Sequence, residues 1–123
     1  MRNDLSDRLL EFAANIIRLA TQLSKTPVGR HISGQLTRAG TSAGANYEEA
    51  CSAESRRDFV HKLQIVLKEL KESFYWVRLV KKAALVSEND PILLLLFKEN
   101  RELINIIAKS IVTAKENQKD EKK

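Results

Sequence analysis

The chain has 123 residues, 43% hydrophobic and 30% charged, with a formal net charge of +5. That is one globular domain's worth of sequence, with enough apolar material to bury a core without metal or disulfide staples. Its 4 Gly and 2 Pro are too few for the turn-dense layout of a small β-sandwich or barrel, and its single cysteine, Cys51, excludes an internal disulfide framework and fits a reducing cytosol.

Four segments repeat apolar residues at alternating three- and four-residue steps, and none alternates with period two, so the pattern predicts helices and no strands. In the first, over 4–24, Leu5, Leu9, Phe12, Ile16, Leu19 and Leu23 line one side. Ser24, Thr26, Pro27 and Gly29 then interrupt the pattern, and Pro27 disfavours helical geometry at Thr26. The second helix, over 29–53, carries Ile32, Leu36, Ala39, Ala43, Asn46, Ala50 and Ala53. Its line turns to alanine after Leu36, and GTSAGAN sets Gly40 and Gly44 one helical turn apart. Interior glycines cost about 1 kcal/mol each in helix propensity, which close approach of a neighbouring helix would offset. A phosphate-cradling loop is the poorer reading, because neither GxGxxG nor GxxxxGK[ST] is present and no strand precedes these glycines.

Ser55, with an acid three residues on at Asp58, reads as a capping box that opens the third helix over 56–84. Its line is Phe59, Leu63, Val66, Leu70, Ser73, Val77, Val80 and Ala84. Ser87, Asn89 and Asp90 offer caps for the fourth helix over 91–117, with Pro91 suited to its first turn. That helix follows Ile92, Leu96, Glu99, Leu103, Ile106, Ser110 and Ala114, and the charged tail over 118–123 is expected to fray. Long helices joined by short loops pack antiparallel, so the expected fold is all-α: one domain over 1–123, an up-down four-helix bundle. The N-terminal MRNDLSDRLLEF has acids and no unbroken apolar run, and ILLLLF at 92–97 is far short of a bilayer span. A cytoplasmic protein without a membrane partner is the expectation.

Catalytic chemistry finds little to work with. His31 and His61 lie on different helices, and Asp58 with His61 is only half of the helical pairing that a di-metal bundle site needs. Cys51 reads as a small, partly buried side chain with no base beside it. Glu48, Glu49, Glu69 and Glu72 have the spacing of ordinary exposed helix faces. The chain is therefore expected not to be an enzyme, and to need no metal and no cofactor. Asn46 and Glu99 stand where apolar side chains are expected, and a buried amide or carboxylate is costly unless hydrogen-bonded or paired. Their expected role is to fix helix register or subunit pairing, with Arg38 or a lysine of the third helix as the candidate partner of Glu99.

Charge is concentrated on the third helix: residues 54–84 hold eight basic and four acidic side chains. Steps of four and three from Arg57 pass through His61, Gln64, Lys68, Lys71, Tyr75, Arg78 and Lys82, an acid-free stripe about 37 Å long. A single-sign stripe is a candidate for phosphate contacts, with Tyr75 placed to stack on a base and His61 adding pH sensitivity. The competing reading is an ordinary face whose lysines pair with neighbouring glutamates. Apolar surplus points to self-association: ILLLLF covers every side of its helix, and Ile65, Leu67, Trp76 and Leu79 lie off the main core line.

The run QLTRAGTSAGANYEEACSAESRRDFVHKLQIVLKELKESFYWVRL, followed by ENRELINIIAKSIVTAK, closely resembles the four-helix bundle family encoded within 23S rRNA intervening sequences. The resemblance is carried by the ordered combination of Gln35, Arg38, Ser42, Asn46, Tyr47, Glu48, Ala50, Asp58, Phe59, Lys62, Leu63, Lys68, Glu69 and Trp76. It implies a bundle that assembles as a ring-like homo-oligomer, a pentamer with a central channel, and no settled biochemical activity. Distant relatives serve the reverse transcriptases of diversity-generating retroelements as accessory proteins that bind nucleic acid and the polymerase, a fold-level analogy. Two functions are thus expected to compete: binding of RNA or DNA through the basic stripe, or a scaffold that recruits a polymerase or ribosome-associated protein without touching nucleic acid.

Overall fold

The second, third and fourth helices each begin where a short polar side chain satisfies unpaired backbone donors. The computed structural model describes the backbone of residues 4–121 and the side chains of 4–119; residues 1–3, 122 and 123 lie outside it. Four helices result: α1 (Asp4–Leu23), α2 (Pro27–Cys51), α3 (Arg56–Lys82) and α4 (Pro91–Glu121), with no strand among the described residues. The Thr26 hydroxyl accepts from Gly29 N at 3.0 Å, with Pro27 in the first turn of α2. Ser55 Oγ accepts from Asp58 N at 3.1 Å, and Asp90 Oδ1 accepts from Ile92 N and Leu93 N, both at 3.0 Å. Helix α2 thus starts at Pro27 rather than at Gly29, because proline suits a first turn even though it restrains the residue before it. The tail expected to fray from 118 continues as helix to Glu121.

Helix α3 ends in a Schellman arrangement: Leu85 N donates to Val80 O at 3.1 Å and Ala84 N to Lys81 O at 3.2 Å. It puts Ala84 at φ 55°, a left-handed conformation that costs an L-residue about 1–2 kcal/mol. Ala84→Gly is therefore expected to stabilise the fold by about 1 kcal/mol, read as a higher midpoint in urea unfolding at unchanged m-value.

The helices form a square in which α1 packs on α2 and α4, and α3 on α2 and α4, while among the described residues the backbones of diagonal pairs do not approach closely. Short connections at 24–26, 52–55 and 83–90 make consecutive helices antiparallel. Leu9, Phe12, Ile16 and Leu19 of α1, Leu36 and Ala43 of α2, Leu63, Val66, Leu70, Val77 and Val80 of α3, and Leu93, Leu96, Leu103 and Ile107 of α4 form one buried cluster. Small residues on α2 let α1 come close. A Cβ built on Gly40 would lie 2.6 Å from Ile16 Cγ1, whereas one on Gly44 would sit 3.5 Å from Leu9 Cβ, an ordinary contact.

Several core positions differ from the sequence expectation by one residue. Tyr47, not Asn46, is buried on α2, because Asn46 Nδ2 satisfies itself on Ser42 O of its own helix at 2.9 Å. On α4 the buried line runs through Leu93, Asn100, Ile107 and Ile111 in place of Ile92, Glu99, Ile106 and Ser110. Among the described residues two polar side chains are fully buried: Ser73, whose Oγ donates to Glu69 O of its own helix at 2.8 Å, and Asn100, whose Nδ2 donates to Leu70 O at 3.0 Å and so ties α4 to α3. Glu99 lies at the α1–α4 edge and takes neither Arg38 nor an α3 lysine as its partner. It accepts from Arg8 Nε at 3.1 Å and Nη2 at 2.5 Å, while Glu102 receives the same Nη2 at 3.2 Å. The hydrogen bond to Glu99, reinforced by the charges of Glu99 and Glu102, pushes the Arg8 pKa up against the opposing effect of desolvation.

The apolar surplus is also placed differently. Leu67, Trp76, Leu79, Ile92 and Phe97 pack partly buried against the core, and Ile65 is half-buried. The large apolar side chains left exposed are Leu94 and Leu95 of α4, joined by Leu10 and Ile17 of α1, Val28 of α2 and Val112 of α4.

Candidate nucleic-acid interface

The 3.6-residue period that buries Leu63, Val66, Leu70, Val77 and Val80 leaves the opposite side of α3 to water. Arg57, His61, Gln64, Lys68, Lys71, Tyr75, Arg78 and Lys82 are all exposed there. Among the described residues, Arg57, Lys68, Lys71, Arg78 and Lys82 enter no ion pair. The two acids beside the middle of the stripe are occupied elsewhere: Arg38 of α2 bridges Glu69 at 3.3 Å and also pairs with Glu72. Glu72 stands four residues from Lys68, the spacing of a helix ion pair, yet its carboxylate turns to α2. Lys62, outside the stripe, reaches Glu49 at 3.5 Å.

At its C-terminal end the stripe acquires aromatic character. Tyr75 is 54% exposed, and its ring meets Trp76 edge-on with centroids 5.0 Å apart. Arg78 lies over Phe74 at 5.7 Å from its centroid, and Lys81 over Phe97 of α4 at 4.3 Å. Between these groups opens a groove of about 630 Å³ lined by Tyr75, Arg78, Leu79, Lys81, Lys82, Glu88 and Phe97. The α3 periodicity places Tyr75, Arg78 and Lys82 together, but Lys81 and Phe97 join them only through α3–α4 packing, which no single-helix pattern reveals.

Other sequence candidates lie apart. His31, on α2, is exposed with its ring edge-on to Trp76 at 6.3 Å, and Cys51 is exposed rather than partly buried, being the last residue of α2. Among the described residues, no three His, Cys, Asp or Glu side chains converge as metal donors, and no helix is long and apolar enough to cross a membrane.

The family model described as 23S rRNA-intervening sequence protein matches residues 2–112. The chain belongs to that family. A crystal structure of a Bacteroides thetaiotaomicron VPI-5482 protein of unknown function, from the S23 ribosomal protein family, is similar at 34% identity and a TM-score of 0.79. The match covers 87% of this chain and 97% of that one. No curated protein matches the chain. Within the 23S rRNA-intervening sequence family, then, this member pairs a four-helix core with an uncompensated basic face.

Proposed function

We propose that this protein is a non-enzymatic, self-associating helical bundle that binds RNA or other nucleic acid through backbone phosphates along α3. The observation that carries the reading is the openness of Arg57, Lys68, Lys71, Arg78 and Lys82, with the two carboxylates beside Lys68 and Lys71 spent on Arg38. Fixed cations along an exposed helix displace condensed counterions from a phosphate chain, and this gain carries no base preference. Self-association, for which the resemblance suggests a pentameric ring, is supported by the exposed Leu10, Ile17, Leu94 and Leu95. Copies of a modest +5 subunit set around an axis would multiply its field.

An electrophoretic shift assay with structured rRNA fragments tests this. If the stripe's five cations contact phosphate, the log–log salt slope is about −4, so a fourfold rise in salt weakens binding by roughly two to three orders of magnitude. Lys68→Glu combined with Lys71→Glu should flatten that slope without lowering thermal stability. No shift at low salt defeats the reading, and so would a protein partner that survives nuclease treatment while RNA alone does not bind.

A further inference from the structure

We infer that the groove between the C-terminal end of α3 and the start of α4 is a subsite for one unpaired nucleobase, so that the protein prefers single strands. This rests on the phosphate-binding reading of α3 and deepens it. The groove continues the basic stripe rather than standing apart from it, since Tyr75, Arg78 and Lys82 belong to both. Its volume of about 630 Å³ lies within the about 300–1,000 Å³ usual for ligand pockets. Leu79 and Phe97 give it apolar walls, and the ring of the half-exposed Tyr75 offers a stacking surface. Arg78, Lys81 and Lys82 supply cations against the single acid of the lining, Glu88.

An aromatic wall beside cations suits a base attached to its own phosphates, whose backbone would continue along α3 toward Lys71 and Lys68. A paired base cannot enter, because its faces are covered by its neighbours in the duplex. Neither a bare phosphate chain nor a purely apolar ligand would use both halves of this lining.

The full-length protein is titrated at low salt with three fluorescently tagged probes: an oligoadenylate, an abasic oligomer of the same length, and a duplex of the same length. The oligoadenylate should bind about tenfold more tightly than the abasic oligomer, the scale of stacking on an exposed aromatic ring. Tyr75→Ala should erase most of that difference and Tyr75→Phe should retain it, while Lys68→Glu should weaken all probes alike. Tyr75 is exposed, so circular dichroism should report unchanged folding for its variants. Equal affinity for the oligoadenylate and the abasic oligomer overturns the subsite and leaves the α3 phosphate reading standing. Loss of binding to all three probes overturns both.

Discussion

Replacing Gly29 with alanine should cost at least about 3 kcal/mol of stability, near the top of what overpacking usually does. A Cβ there would lie 1.8 Å from the Leu23 carbonyl oxygen and 2.9 Å from its carbon. The obstacle is backbone, fixed by the last turn of α1, so no rotamer change relieves it. Gly29 N also donates to the Thr26 cap at 3.0 Å, which holds α2 in the position that creates the clash. Thermal unfolding should show a fall on the order of 10 °C, given a few degrees per kcal/mol at this size. A midpoint within a degree or two of wild type would mean that the α1–α2 turn can open at little cost.

Gly40→Ala should cost about 2 kcal/mol, even though alanine is about 1 kcal/mol the better helix former. The new Cβ would stand 2.6 Å and 2.7 Å from Ile16 Cγ1 and Cγ2 and 3.0 Å from its Cβ. Ile16 is β-branched and fully buried, so it cannot turn aside, and α1 must move as a body. Gly44→Ala, with only ordinary contacts to Leu9, should instead gain up to about 1 kcal/mol. Ile16→Ala combined with Gly40→Ala supplies the check: removing both γ carbons should make the pair less destabilising than the sum of its parts. Strict additivity would show that the crossing is looser than these distances require.

The helices and most of their inner faces are legible in the sequence because each apolar line contrasts with its neighbours. Leu63, Val66, Leu70, Val77 and Val80 on α3 are an example. Contrast fails on α4, where ILLLLF offers apolar residues on every side and the polar residue expected on the core line, Glu99, is followed directly by another, Asn100. Burial there is decided by what each can bond to: an amide meets Leu70 O inside the core, whereas a carboxylate needs the guanidinium of Arg8 at the edge. Tyr47 and Asn46 divide in the same way, since the amide finds a carbonyl on its own helix. The basic stripe belongs to one helix and is readable from spacing alone. The groove at its end needs α3 and α4 together, and the freedom of the lysines depends on a side chain of α2.

That last dependence reaches beyond the single helix. Arg38 sequesters the carboxylates of Glu69 and Glu72, and so acts as an electrostatic latch for a face to which it contributes no charge of its own. Opening the latch by neutralising Arg38 would let Glu72 swing back onto Lys68, so that one substitution on α2 would cancel a positive charge on α3. The phosphate binding proposed for α3 would then be tuned by substitutions on α2, outside the stripe itself.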